Sequence, residues 1–200
     1  MTTAMPVLET ERLLIRPFTL DDLEAVHQIL DLEEAAVDLG QGETALAQRR
    51  RWLEWSVLNY EQLAGLYQPP YGDRGVALKA TGELIGACGY VPCVGDFLQL
   101  PALAAGRPER GLATCEFGLY YAISPRCRRQ GYAAEAARAL IDYAFRTLRL
   151  KRVIATTDYD NLGSIGVMLK VGMQIERNPY PDPPWLQVVG WIENDLSKPE

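Results

Sequence analysis

Ile123-Ser124-Pro125-Arg126-Cys127-Arg128-Arg129-Gln130-Gly131-Tyr132-Ala133 is the stretch on which the reading of this chain turns. An apolar run, residues 113–123, precedes it and reads as a strand that Ser124-Pro125 ends. Residues 131–148 come next as a helix, with Ala137, Leu140, Ile141, Ala144 and Leu148 on one face. The first N–H groups of a helix lack an internal partner and carry partial positive charge. A loop that aims further amides at the same point makes an anion cradle. Gly131 permits close approach of a ligand, and Ala133 keeps the first turn uncrowded. Arg126, Arg128 and Arg129 add forked, charge-assisted donors, so a pyrophosphate fits. No Gly-Lys-Ser/Thr and no G-x-G-x-x-G is present, which excludes a P-loop and a Rossmann fingerprint. On composition alone, the loop reads equally well as a solvated basic turn.

Outward from that loop the chain punctuates itself. Residues 12–18 (RLLIRPF) read as a strand. Thr19 then caps a helix carrying Asp21 and Asp22 in its first turn. A second helix spans residues 44–66, with Leu46, Leu53, Val57, Tyr60 and Ala64 at helical spacing. Residues 75–80 and 83–91 are strands joined by the turn Ala80-Thr81-Gly82-Glu83. Residues 94–112 have no period and read as a long extended loop, a kind often functional. Residues 152–157 form a strand, residues 162–171 a short helix closed by Gly172, and residues 173–177 and 185–193 two last strands. The order, β, two helices, three strands, helix, strand, helix, two strands, is a mixed α/β sheet.

Length and composition bound the function. The chain has 200 residues, 48% of them hydrophobic, so it can bury a core; one domain over residues 10–196 is expected. The net charge of −6 lacks the footprint of a nonspecific nucleic-acid binder. The Arg49-Arg50-Arg51 run reads as a solvated helix face. Cys88, Cys93, Cys115 and Cys127 contain no C-x-x-C pair, and the single His27 cannot complete a zinc set, so no metal is expected. Reduced core thiols, no secretory signal and no run long enough to span a bilayer point to a cytoplasmic protein away from the membrane. His27 reads as a packing or surface residue. Trp52, Trp55, Trp185 and Trp191 read as core or groove lining.

Four segments, in order, carry a family resemblance. Arg128-x-x-Gly131-x-Ala133 resembles the R/Q-x-x-G-x-G/A signature of the GCN5-related N-acetyltransferases (GNAT). Asn161-x-x-Ser164, then Leu169-Lys-Val-Gly172-Met, is similar to the matching segment of the branch that acetylates ribosomal-protein N-termini. Residues 8–18 and 81–86 resemble the same branch. The resemblance implies a mixed, mostly antiparallel sheet of about seven strands, splayed at its centre, with about four helices. It implies acetyl-CoA as cosubstrate and a primary amine as acceptor, on a protein N-terminus or a small molecule. The amides of Arg128, Arg129, Gln130, Gly131, Tyr132 and Ala133 would hold the phosphates. Backbone groups at Tyr121, Ala122 and Ile123, beside the splay, would bind the pantetheine arm, and Asn161 would bond it.

By the same resemblance the amine attacks the acetyl carbonyl directly. A protonated amine has no lone pair, so a base is needed. Glu116, which interrupts the apolar strand Cys115-Glu-Phe-Gly-Leu-Tyr, is the candidate, with a surface ion pair as its alternative. Ser164 stands where many members place a thiolate-protonating Tyr; it orients or relays, or it caps the short helix. Asn161 reads otherwise as a turn residue. Tyr120, Tyr121 and Tyr159 are alternative acids. A non-catalytic acyl-CoA-binding or regulatory module on the same fold is the competing reading, with an RNA- or ribosome-binding protein third. Acceptor choice is expected to depend on residues 94–112, and exposed aromatics leave room for a homodimer.

Overall fold

The Ala80–Glu83 turn closes a hairpin between β3 (Asp73–Leu78) and β4 (Leu84–Gly95). Gly82 stands at φ +75°, a conformation the turn needs and a side chain would resist. The computed structural model describes residues 5–33, 43–104, 106–108 and 110–195, so the expected domain end at Leu196 lies outside the described residues. Among the described residues six more strands complete the sheet: β1 (Leu8–Glu9), β2 (Leu13–Arg16), β5 (Thr114–Ile123), β6 (Arg152–Thr157), β7 (Gln174–Arg177) and β8 (Val188–Glu193). The order is β1-β2-β3-β4-β5-β6-β8-β7. Every pairing with a described register is antiparallel except β5 with β6. The eighth strand beyond the expected seven is β1, two residues that carry no readable alternation. The last strand begins at Val188, not Trp185, because Leu186 N–H closes a turn onto Pro183 C=O.

Among the described residues four α-helices accompany the sheet: α1 (Leu23–His27), α2 (Glu43–Gly65), α3 (Tyr132–Arg146) and α4 (Leu162–Lys170). A tight turn, Leu20–Asp22, leads into α1, and wider π-type turns, Gln28–Glu33, come after it. The chain divides into two compact units, Met1–Tyr90 with Tyr120–Leu140, and Val91–Leu119 with Ile141–Glu200.

The first unit's apolar core joins Phe18, Leu23, Val26, Ile29 and Leu30 to Leu53 of α2 and to Leu84 and Ala87 of β4. The buried stripe of α2 is Ala45, Arg49, Leu53, Ser56 and Leu63, rotated from the expected one. Arg49 is 7% exposed, which corrects its reading as part of a solvated face; only Arg50 and Arg51 are solvated. Gly86 is required where β4 meets β5, since a Cβ there would lie 2.3 Å from the Ala122 carbonyl oxygen.

The second unit's core gathers Phe97, Leu100, Leu103, Ile154, Leu186, Val189 and Trp191. Residues 94–112 are therefore not an extended loop. β4 runs on to Gly95, a helical turn spans Phe97–Gln99, and Phe97, Leu100 and Leu103 anchor this part of the chain; positions 105 and 109 lie outside the described residues. Each such side chain contributes about 1.5–3 kcal/mol on burial, enough to pin a segment without sequence periodicity. Of the four thiols only Cys88 is fully buried, while Cys115 is exposed, so the core-thiol reading holds for one cysteine alone. No helix among the described residues is long and apolar enough to cross a membrane.

Candidate active site

The decisive loop leaves β5 through Ser124, whose hydroxyl accepts the Arg126 N–H and caps the turn Pro125–Cys127. Arg129 then stands at φ +60° and Gly131 at φ +87°. A non-glycine residue in the left-handed region is uncommon. Alternating hands along successive residues turn their N–H groups toward one point, which is how an anion nest is made. The 15-residue helix α3 begins at Tyr132, so its unpaired first-turn amides and positive end lie at the same place. Arg128, Arg129 and Gln130 are exposed; Gly131, Tyr132 and Ala133 are partly so.

Two braces hold this loop, and neither is visible as a motif. Glu135 accepts from Thr10 Oγ1 at 2.6 Å, the Arg12 N–H at 2.9 Å and Arg12 Nε at 2.7 Å. Burial pushes the Glu135 carboxyl upward, and these hydrogen bonds outweigh it, leaving the net shift downward. Arg12 also donates from Nη1 to Gln130 C=O at 3.0 Å and covers the Tyr132 ring at 4.4 Å. On the other side Glu33 accepts from the Ser124 hydroxyl and pairs with Arg126 Nε at 3.0 Å. The Ser124 bond is the main reason its carboxyl titrates lower than usual. The matching polar side chains lie 91 to 125 residues apart, a separation no local pattern encodes.

Strand alternation sorts the three expected arm-binding positions. Ala122 C=O faces Gly86 of β4. Ile123 C=O accepts from Arg128 Nε at 3.2 Å. Tyr121, one residue on from a β4-facing neighbour, turns its backbone groups to the opposite edge of β5. Among the described residues β5 and β6 pair in parallel at Gly118 with Ile154, and β5 runs on to Ile123.

Glu116 is 9% exposed in β5, and both its oxygens accept from the Arg152 guanidinium, at 3.0 Å from Nε and from Nη2. It is thus a buried, forked pair and not a solvent-facing one. Asn161 is the N-cap of α4; its Oδ1 accepts the Ser164 N–H at 3.0 Å. The capping role expected of Ser164 therefore belongs to Asn161, with Ser164 as the donor. Tyr159 donates its hydroxyl to Asn178 C=O at 2.6 Å. Burial pushes the Tyr120 hydroxyl far up, which removes it as a ready acid. Among the described residues no cluster of three His, Cys, Asp or Glu side chains is placed to hold a metal ion.

Sequence reasoning passed over a group in the first unit. His27 Nδ1 lies 2.7 Å from Asp31 Oδ2, and Arg49 grips the same carboxylate in a fork, with Nε at 3.0 Å. Arg49 also lies 4.8 Å over the Trp52 ring. Asp73 opens β3, 8% exposed. Its one sequence signal is an acid where an apolar strand begins.

The fold is shared with solved acetyltransferases. An acetyltransferase from Agrobacterium tumefaciens superposes with a TM-score of 0.67 over 95% of each chain at 24% identity. RimL, a ribosomal L7/L12 α-N-protein acetyltransferase solved with coenzyme A, gives 0.61 over 93% of this chain and 96% of that one at 13% identity. In sequence, the chain is 31% identical over 172 residues to YoaA of Bacillus subtilis, named as an uncharacterized N-acetyltransferase, covering 86% of this chain and 84% of that protein. Residues 12–174 match the family model for the acetyltransferase (GNAT) domain. The chain belongs to the GNAT acetyltransferases, as its motifs implied, and is an N-acetyltransferase.

Proposed function

We propose that residues 10–196 act as one domain that moves an acetyl group from acetyl-CoA to a primary amine by direct attack, in the cytoplasm. The observation that carries this is the braced nest at Arg128–Ala133, with positive φ at Arg129 and Gly131 feeding the start of α3. Its donor set fits a diphosphate: amides at a helix's positive end, ringed by exposed arginines. Acetyl-CoA, when bound, supplies the activated acyl group and a thiolate that leaves without much acid help.

The residues of the chain do the rest. The edge of β5 at Tyr121 offers the arm a strand-like partner, joined by the backbone of Ala122 and Ile123 where their geometry leaves room. Asn161 keeps its Nδ2 for the arm, because Oδ1 is committed to the helix cap. Glu116, oriented by Arg152, receives the amine proton through the second lone pair of a carboxylate oxygen. An N–H of β5 steadies the negative charge that grows on the carbonyl oxygen. Ser164 orients the thioester end or relays a proton. The acceptor is a protein N-terminus or a small amine, and the acidic chain favours cationic ones. Resemblance to a ribosomal-protein acetyltransferase and exposed Trp55 and Leu58 on α2 support, in turn, a protein acceptor and a homodimer.

The test is a panel of primary amines incubated with acetyl-CoA and scored by free thiol release. Amine-dependent release is the expected result. No release with any amine, with coenzyme A still bound, would favour a binding module instead.

A further inference from the structure

Asp73 lacks any hydrogen bond or ion pair to its carboxylate among the described residues, although it is more than nine-tenths buried. Only its backbone takes part, the carbonyl accepting the Tyr60 hydroxyl. Buried carboxylates are ordinarily paired, and an unpaired one costs stability. Its place in the sheet is defined by register. Asp73 pairs with Gly89 and Gly75 with Ala87, so these four share a face. Ala87 packs with Phe18, Leu53 and Tyr120, which makes this the face that α1 and α2 cover. Arg74 and its partner Cys88 lie on the opposite face, as does Tyr90, whose hydroxyl bonds Leu140 C=O of α3.

The charges around Asp73 do not neutralise it. From α2, Arg49 acts on it electrostatically, but that guanidinium is already forked onto Asp31, which His27 also engages. Tyr60 of α2, Tyr120 of β5 and Cys88 of β4 are its other titratable neighbours, with Arg74 beside it in β3. The Tyr120 and Cys88 groups are pushed up by burial and stay neutral near pH 7. Gly89 opposite offers no side chain, and Phe18 and Trp52, packed edge to face with ring centroids 5.5 Å apart, belong to the same core. Among the described residues, one negative group is left without a positive partner on an apolar, aromatic face.

We propose that the Asp73 carboxylate is the subsite that receives an ammonium group of the acceptor other than the amine that is acetylated, as in a diamine or polyamine. This rests on the amine-acetylating reading above and names where, in the first unit, the acceptor's cation docks. An incoming ammonium completes the missing ion pair. Burial pushes Asp73 up to about 6, with the Arg49 charge pulling the other way. Below that pH the subsite loses its charge. Alkylammonium probes keep theirs throughout, with ordinary values near about 10.

The experiment titrates propylamine, spermidine and 2-phenylethylamine into the full-length protein saturated with coenzyme A, by calorimetry, from pH 5 to pH 8. The wild type should bind at least one probe, and its affinity should fall as pH drops through about 6. Asp73→Asn should weaken that affinity at least about tenfold at pH 8, as loss of a charged hydrogen bond implies. It should also raise the melting temperature at pH 8. The folded carboxyl titrates above its unfolded value of 3.8, so ionised Asp73 opposes folding above pH 6, and the gain should vanish toward pH 4. A melting gain with unchanged amine affinity would mark Asp73 as structural strain and overturn the proposal. So would binding of none of the probes to the wild type. Acetyl transfer that persists while amine affinity ignores Asp73→Asn defeats this subsite alone. Loss of amine binding in the variant, with no acetyl transfer by the wild type, defeats the catalytic reading instead.

Discussion

Glu116→Gln should slow acetyl transfer by about 10²- to 10⁴-fold at neutral pH while acetyl-CoA affinity stays unchanged. The reacting amine reaches the enzyme mostly protonated, since α-amines titrate near about 8 and lysines near about 10. Removing its proton is therefore part of the barrier. Glu116 is a carboxylate buried in β5 and fixed in direction by the Arg152 fork. The glutamine keeps one oxygen to accept from Arg152 and loses the capacity to take a proton. A melting curve close to wild type would show that the loss is chemical. In the variant, rate should recover as pH rises and free amine accumulates. A rate within about threefold of wild type, less than 1 kcal/mol of barrier by a rough conversion, would remove Glu116 as the base.

Arg49→Ala should destabilise the protein by about 3–5 kcal/mol, a drop of roughly 10 °C in melting temperature for a chain of this size. The Asp31 side chain is 3% exposed and receives Arg49 through two nitrogens. Removing the guanidinium leaves that carboxylate in the interior with only His27 beside it among the described residues. Burial alone raises Asp31, but the Arg49 and His27 hydrogen bonds outweigh it and the net shift is downward. The pair's contribution is therefore present above the unfolded carboxylate value of 3.8 and fades as pH falls through the lower folded one. Chemical denaturation at pH 7 checks this. A loss under about 1 kcal/mol, the worth of an exposed pair, would contradict the buried geometry.

These two residues show what a sequence can and cannot disclose. Glu116 is legible because an acid inside Cys115–Tyr120 breaks an apolar strand. Arg49 is not, because Arg49-Arg50-Arg51 looks like one solvated run, and its partner sits 18 residues earlier. The cradle is legible for the opposite reason. Ser124-Pro125, Gly131 and the alanine-rich helix are all local signals, and each does locally what its chemistry dictates. Its braces, Thr10 and Arg12 on Glu135 and Glu33 on Ser124, are long-range and leave no local trace. Residues 94–112 mislead because Pro101, Gly106 and Gly111 suppress periodicity while Phe97, Leu100 and Leu103 still find a core. Asp73 lies in between: its oddity is visible in Gly72-Asp73-Arg74-Gly75-Val76, but its burial and missing partner need the sheet register.

Gly131 bears the most direct test, because the diphosphate seat proposed above depends on its backbone. At φ +87° a β-branched side chain is strained, so the turn cannot keep its backbone course. Calorimetric titration of acetyl-CoA into the wild type and into Gly131→Val should show saturable binding in the first and at least about tenfold weaker binding in the second, both proteins melting cooperatively. No heat with acetyl-CoA or coenzyme A, or equal affinity in the two proteins, would contradict the account.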